Sequence, residues 1–367
     1  MSKAAELAKI GEVATNSQIG GRRNILINGA MQVAQRGAAT STGALGDAVE
    51  MGNIDRFKIE AGNTAGRFTM EQTAITDLPG FANCMELTCT TADGSVAAGE
   101  FIILSQYLEG QDVQQMKKGT SSAEAVTVSF YVKGNASATH TLELRDNDNS
   151  RFNSQEFPVT TDWVRITRTF VGDTTGAFDN DVALSLKANI WLHAGSTYKG
   201  GTHVSNTWGT TTNTRVGDNQ TSFVDATSRN LFITGFQLEV GSVATPFEHR
   251  SFGEELALCQ RYYHSTTFAN GKAASAGGTV NSSTIAVIAG MAHPVIMRAA
   301  PVAAINDVTH IGVRHKSVVT TCTNATISTS QRACTMELTV SSGLTVGDGC
   351  FARSVNNACT LSFDIEL

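Results

Sequence analysis

From about residue 22 to residue 250 the chain alternates apolar and polar positions with a period of two, broken repeatedly by clusters of Gly, Asn and Asp. The stretch AVTVSFYVKG (125–134) shows the pattern most plainly. Val126, Val128, Phe130 and Val132 fall on one face of a strand, and Thr127, Ser129, Tyr131 and Lys133 on the other. THTLELRDND (139–148), DWVRITRTFVGD (162–173), VALSLKANIWLHAG (182–195) and NLFITGFQLEVG (230–241) repeat it. Each predicts a strand buried on at least one side. So many strands with almost no helical periodicity between them predict a mainly β fold, a sandwich or a barrel.

Two segments break the pattern. RSFGEELALCQRYYH (250–264) predicts a helix: Ser251 and Glu254 have capping-box spacing, and Leu256, Cys259 and Tyr263 share one face. Residues 2–14 predict a second, short helix with Ser2 as N-cap and Ala4, Leu7 and Ile10 on its apolar side. A helix of that length is marginal in water without something to pack on, so residues 1–21 read as an attachment arm. NILINGAMQV reads as the first strand of the large domain, with Asn28-Gly29 as a turn or bulge and Arg36-Gly37 as its end. Beyond 264, STIAVIAGM, ATIST, CTMELTV and CTLSFDIEL return to short strands. The resulting division is an arm at 1–21, a β-sandwich at 22–249, a linking helix at 250–264 and a smaller β domain at 265–367.

Composition narrows the function classes. The chain has 367 residues, and charged residues make up 16% of it, below the roughly 25% of an ordinary soluble domain. Low charge with many small Thr, Ser and Ala side chains suits surfaces covered by other subunits. The formal net charge of −6 argues against a sequence-independent grip on nucleic acid, which needs a basic face. No apolar run reaches the length of a membrane-spanning helix and no apolar signal core opens the chain, so the expectation is synthesis in a cytoplasm. The seven cysteines contain no C-x-x-C pair, which predicts reduced, buried thiols; a bridge among Cys322, Cys334, Cys350 and Cys359 is the alternative.

No nucleophile elbow, HExxH or phosphate loop is present, and no acid/base pair is recognisable, so the chain reads as a non-enzyme. RDNDN (145–149) and FDNDVA (178–183) place Asp146, Asp148, Asp179 and Asp181 in oxygen-rich loops, read first as turns and second as Ca²⁺ ligands. QYLEGQDVQQMKKG (106–119) reads as a solvated charged loop. The stretch from His193 to Gly209 sets Tyr198, His203 and Trp208 among Gly, Ser and Thr, following Trp191, which reads as core. Aromatic faces stack on sugar rings while polar neighbours take the hydroxyls, so Tyr198, His203 and Trp208 are candidate glycan contacts.

Six segments in order, RRNILINGAMQVAQRG, DRFKI, QYLEGQDVQQMKKG, VTVSFYVKG, FQLEVGSVATPFEHRSFGEELALCQRYY and PVIMRAAPV, resemble a family of tailed-bacteriophage tail fibre and tail structural proteins. The resemblance implies a homotrimeric virion protein, assembled in the host cytoplasm. It would be attached through Ala4, Leu7 and Ile10 to other tail or capsid proteins, and would present loops to a host-surface glycan. A head decoration or other virion component without a ligand is the alternative. The family's large domain is similar to jelly-roll carbohydrate-binding modules, whose two ends share a structural calcium ion. That implies Asn28 and Glu239 as Ca²⁺ ligands, although Gln32 stands where the modules carry an acidic residue.

Overall fold

The computed structural model describes Lys3, residues 22–37 and residues 49–367. Ala4, Leu7 and Ile10 of the attachment arm lie outside the described residues. The chain divides into two compact units, one ending at Glu255 and the other spanning Leu256–Glu366.

The first unit is a sandwich of two antiparallel sheets. One has six strands in the order β1 (Val49–Met51), β2 (Lys58–Gly62), β5 (Phe101–Glu109), β10 (Leu184–Ala194), β7 (Ala138–Asp146) and β8 (Arg151–Val159). The other has five, in the order β3 (Arg67–Ala74), β4 (Asn83–Thr91), β11 (Asn230–Val240), β6 (Val126–Gly134) and β9 (Val164–Phe170). The alternating residues do what their period dictates. Val126, Val128, Phe130 and Val132 of β6 join Leu186, Ala188, Ile190 and Leu192 of β10 in one core between the sheets. Phe130 sits at its centre, edge-on to Phe157 at 5.1 Å and to Phe236 at 5.3 Å. Burying each such ring contributes about 1.5–3 kcal/mol.

The opening segment is not a strand. Residues 22–37 form turns and extended pieces, because β11 already pairs with β4 over Asn230–Ile233 and leaves that edge open further along. Asn24 fills the gap with its side chain: its Oδ1 accepts from the Leu238 and Leu26 amides and its Nδ2 donates to the Phe236 carbonyl, all at 3.0 Å. The Ile25 amide donates to the Leu238 carbonyl and the Phe236 amide to the Gly29 carbonyl, both at 2.9 Å. Asn28 takes a positive φ of 60°. A Cβ on Gly29 would lie 2.1 Å from the Phe236 carbonyl oxygen. Gly29→Ala should therefore cost about 1–3 kcal/mol in a denaturant titration; a midpoint equal to the wild type would mean this segment is not clamped to β11.

The predicted linking helix is shorter than its sequence pattern. Helix α3 (Phe252–Gln260) follows two single-turn helices, α1 (Gly110–Val113) and α2 (Ser196–Lys199). The Glu254 amide donates to Ser251 Oγ at 3.3 Å, but the Glu254 carboxylate pairs with Arg22 at 3.0 Å instead of closing a capping box. Tyr263 already belongs to strand β12 (Tyr263–Phe268), whose pairing with β20 (Cys359–Asp364) outcompetes another helical turn.

The second unit joins a three-stranded sheet, β12-β20-β15 (β15, Val302–Ile305), to a closed six-stranded barrel. The barrel runs β13 (Ala273–Val280), β14 (Ile285–Ala292), β18 (Ala333–Val340), β17 (Val318–Thr329), β16 (Ile311–His315), β19 (Gly349–Ser354). Its core gathers Ile288, Val313, Met336, Leu338 and Phe363 with Cys322, Cys334, Cys350 and Cys359. All seven cysteines are buried as thiols. Burial pushes the thiols of Cys84 and Cys322 up to about 12.

Two buried histidines set a pH limit. Burial lowers His140 in the first unit and His264 in the second to about 4, His293 adding to the effect on His264. Unfolded histidine takes its proton near 6.5 while the folded form resists it. Stability is thus complete above about pH 7 and falls as pH drops from 6.5 towards 4, by about 1.4 kcal/mol per pH unit for each histidine. Urea midpoints that stay flat between pH 7 and pH 4.5 would contradict this.

Candidate functional site

Polar chemistry concentrates on the outer face of the six-stranded sheet, opposite the core. Strand register lines it up in three rows across neighbouring strands. The first runs Tyr107, Lys187, Arg145, Phe152; the second Lys58, Ser105, Asn189, Glu143, Ser154; the third Glu60, Ile103, Trp191, Thr141, Glu156. The sequence builds this face by simple alternation, since in β10 Lys187, Asn189 and Trp191 lie between the core residues Leu186, Ala188, Ile190 and Leu192.

A continuous hydrogen-bond network crosses the rows. Glu143, fully buried, accepts both arms of the Arg215 guanidinium at 2.7 and 2.9 Å, the Asn189 amide at 2.9 Å and the Trp191 indole at 3.2 Å. Ser105 lies 2.8 Å from both Asn189 Oδ1 and Glu60 Oε1. Lys187 donates to Glu60 at 2.9 Å and to the Tyr107 hydroxyl at 3.0 Å. Burial by itself disfavours the charged form of Glu60, but Lys187, Ser105 and Tyr107 outweigh it and hold the carboxyl below its ordinary value. Burial and the nearby Glu60 raise the Tyr107 phenol. Both carboxylates are thus committed to cations, Glu60 to Lys187 and Glu143 to Arg215.

Residues 195–220 fold onto this face. The Arg215 guanidinium sits 4.7 Å from the Trp191 ring, and Tyr198 packs on Trp191 at 5.2 Å and on Phe101 at 5.5 Å. Trp191 is fully buried, yet it lies on the outer face beneath Arg215 and Tyr198, outside the main core. Of the other two predicted glycan contacts, His203 reaches the β8 end of this face and Trp208 does not. His203 Nε2 is 3.0 Å from Ser154 Oγ on β8. The Trp208 indole donates to the Val171 carbonyl at 2.7 Å, and the ring packs against the main core. The loop therefore distributes Tyr198, His203 and Trp208 over three neighbourhoods instead of one stacking platform.

The structure does not fit the calcium site that the resemblance implies. Asn28 spends its carboxamide on the Val33 amide and on the Val33 and Asp55 carbonyls. Glu239 spends its carboxylate on the Thr245 amide and hydroxyl and on Gln237. Among the described residues no group of three or more His, Cys, Asp or Glu is arranged to hold a metal ion.

Asp146 of the first aspartate loop closes on a lysine, which it shares with Asp173, a residue that precedes the second loop. Lys118 Nζ lies 2.5 Å from Asp146 Oδ2 and 3.2 Å from Asp173 Oδ2, and donates to the Thr175 and Gly176 carbonyls at 2.8 and 2.6 Å. Arg151 adds a two-pronged contact to Asp173 at 2.7 and 3.2 Å. Burial opposes ionisation of Asp173, and the Arg151 and Lys118 contacts overcome it, keeping the carboxyl below its ordinary value. Asp148 and Asp181 accept backbone amides, as turn residues do. The segment 106–119, expected to be a solvated loop, is a buried strand end and helical turns that deliver Lys118 to this hole.

No family model and no curated protein matches the chain. Solved structures align at low similarity. A CBM4 module aligns over 58% of this chain and 97% of its own, with 11% identity and a TM-score of 0.30. The module TmCBM61, in complex with β-1,4-galactotriose, aligns over 60% and 99%, with 11% identity and a TM-score of 0.31. The enzymatically active domain of bacteriophage CBA120 tailspike protein 4 aligns over 59% of this chain but 21% of its own, with 12% identity and a TM-score of 0.30.

Sequence reading missed Glu60, Tyr107, Glu143, Lys187, Asn189 and Arg215. The polar half of VALSLKANIWLHAG was a usable signal for Lys187 and Asn189. Nothing local pointed to Glu60 or Arg215, which reach the same face from distant segments.

Proposed function

We propose that this chain is a non-enzymatic virion protein of a tailed phage, a homotrimeric tail fibre or tail appendage that contributes to attachment by binding host-surface glycan. The observation that carries the glycan reading is the outer face of the six-stranded sheet. There, carboxylate, amide, ammonium, guanidinium and phenol groups stand in register beside the half-buried Tyr198 ring, with Trp191 buried beneath it. This is the mixture of hydroxyl-binding groups and ring faces that sugars require. The commitment of Glu60 and Glu143 to cations supports binding without turnover. The six ordered segments support the phage assignment, with residues 1–21 as the attachment arm and three copies converting weak sugar contacts into firm adsorption.

An array of bacterial surface polysaccharides probed with the purified full chain tests this reading, with light scattering on the same sample for its mass. The expected result is binding to a subset of glycans by a three-chain species. A monomer that binds nothing would favour a ligand-free structural component such as a head decoration.

A further inference from the structure

The face carries a charge arrangement that nothing in its own fold requires. Lys187 of β10 stands directly opposite Arg145 of β7 and opposite Tyr107 of β5. The Lys187 ammonium lies 4.3 Å from the Tyr107 ring centre, and the Lys58 ammonium lies 4.6 Å from the same ring. Like charges directly opposite on paired strands destabilise the pair. Glu60 answers Lys187. Arg145 has no such answer: it is half-buried and, among the described residues, makes no hydrogen bond or ion pair. A guanidinium kept beside an ammonium, in a chain of net charge −6, is a fork of donors without an acceptor, and a planar carboxylate or a sulfate is what fits it.

We infer that the ligand of this face is an acidic oligosaccharide, whose carboxylate or sulfate is received by Arg145 beside Lys187. The inference rests on the glycan reading above and adds the charge of the sugar. Tyr107, with two ammonium groups 4.3 and 4.6 Å from its ring centre and its hydroxyl held by Lys187, forms the floor next to that anion. The neutral part of the sugar then extends along the rows towards Tyr198.

Calorimetric titration of the full chain with three trisaccharides tests it: tri-galacturonate, neutral galactotriose and a sulfated galactotriose. A charge-assisted hydrogen bond contributes about 1.5–3 kcal/mol, so at least one acidic sugar should bind about 10–100-fold more tightly than the neutral one. That preference should weaken with added salt and vanish in Arg145→Gln, whose circular dichroism and melting should stay near wild type. Preference for the uronate assigns the anion as carboxylate, and preference for the sulfated sugar assigns it as sulfate. Galactotriose binding as tightly as the acidic sugars, with Arg145→Gln unchanged, would overturn the inference and leave the glycan reading standing. Absence of heat with all three would overturn both.

Discussion

Replacing Lys118 with methionine is expected to cost about 3–5 kcal/mol of stability. The Asp146 side chain is fully buried and the Asp173 side chain is 4% exposed, and Lys118 is the cation between them. Methionine keeps the length of the side chain and its packing against the Phe178 ring, which lies 5.2 Å from the ammonium. It removes the charge and leaves the buried Asp146 carboxylate without its cation, while Asp173 keeps Arg151. The denaturant midpoint should fall sharply, and adding Asp146→Asn to Lys118→Met should recover a large part of the loss because the uncompensated charge goes with it. A single variant within about 0.5 kcal/mol of wild type would mean that water reaches these carboxylates. Asp146 of the 145–149 loop is thus committed to a cation that the chain itself supplies, whereas Asp148 and Asp181 accept backbone amides.

Arg215→Ala is expected to act on stability and on binding together. It strips the two-pronged partner from the fully buried Glu143, a change of about 3–5 kcal/mol for a buried pair. It also releases residues 195–220 from the sheet face, because Arg215 covers Trp191. Trp191 emission should shift to longer wavelength as water reaches the ring, and glycan binding should be lost. Glu143→Gln combined with Arg215→Ala should restore much of the stability and little of the binding. An Arg215→Ala protein with unchanged emission and unchanged binding would detach this network from function.

The strands were legible because their information is local. The segments 125–134, 139–148, 162–173, 182–195 and 230–241 each contain an observed strand, β6, β7, β9, β10 and β11, since one buried face and one polar face impose a period of two. What was not legible depends on partners distant in sequence. NILINGAMQV has a strand's composition, but β11 offers it only part of an edge, and Asn24 uses its side chain where a strand would use its backbone. Lys118 sits in a charged run that reads as solvated, and only the meeting of the loops at 146 and 173–176 shows that it is buried. The rows of the outer face needed the strand order β2-β5-β10-β7-β8, which no periodicity encodes.

The functional proposal stands or falls on sugar binding to the outer face of the six-stranded sheet. A crystal structure of the full chain with the glycan selected by the array tests it most directly. The sugar should lie over Arg145 and Lys187 and reach towards Tyr198. A sugar seated instead on the opposite sheet, over the half-buried Tyr131 and Trp163, or on the C-terminal barrel, would contradict the claim.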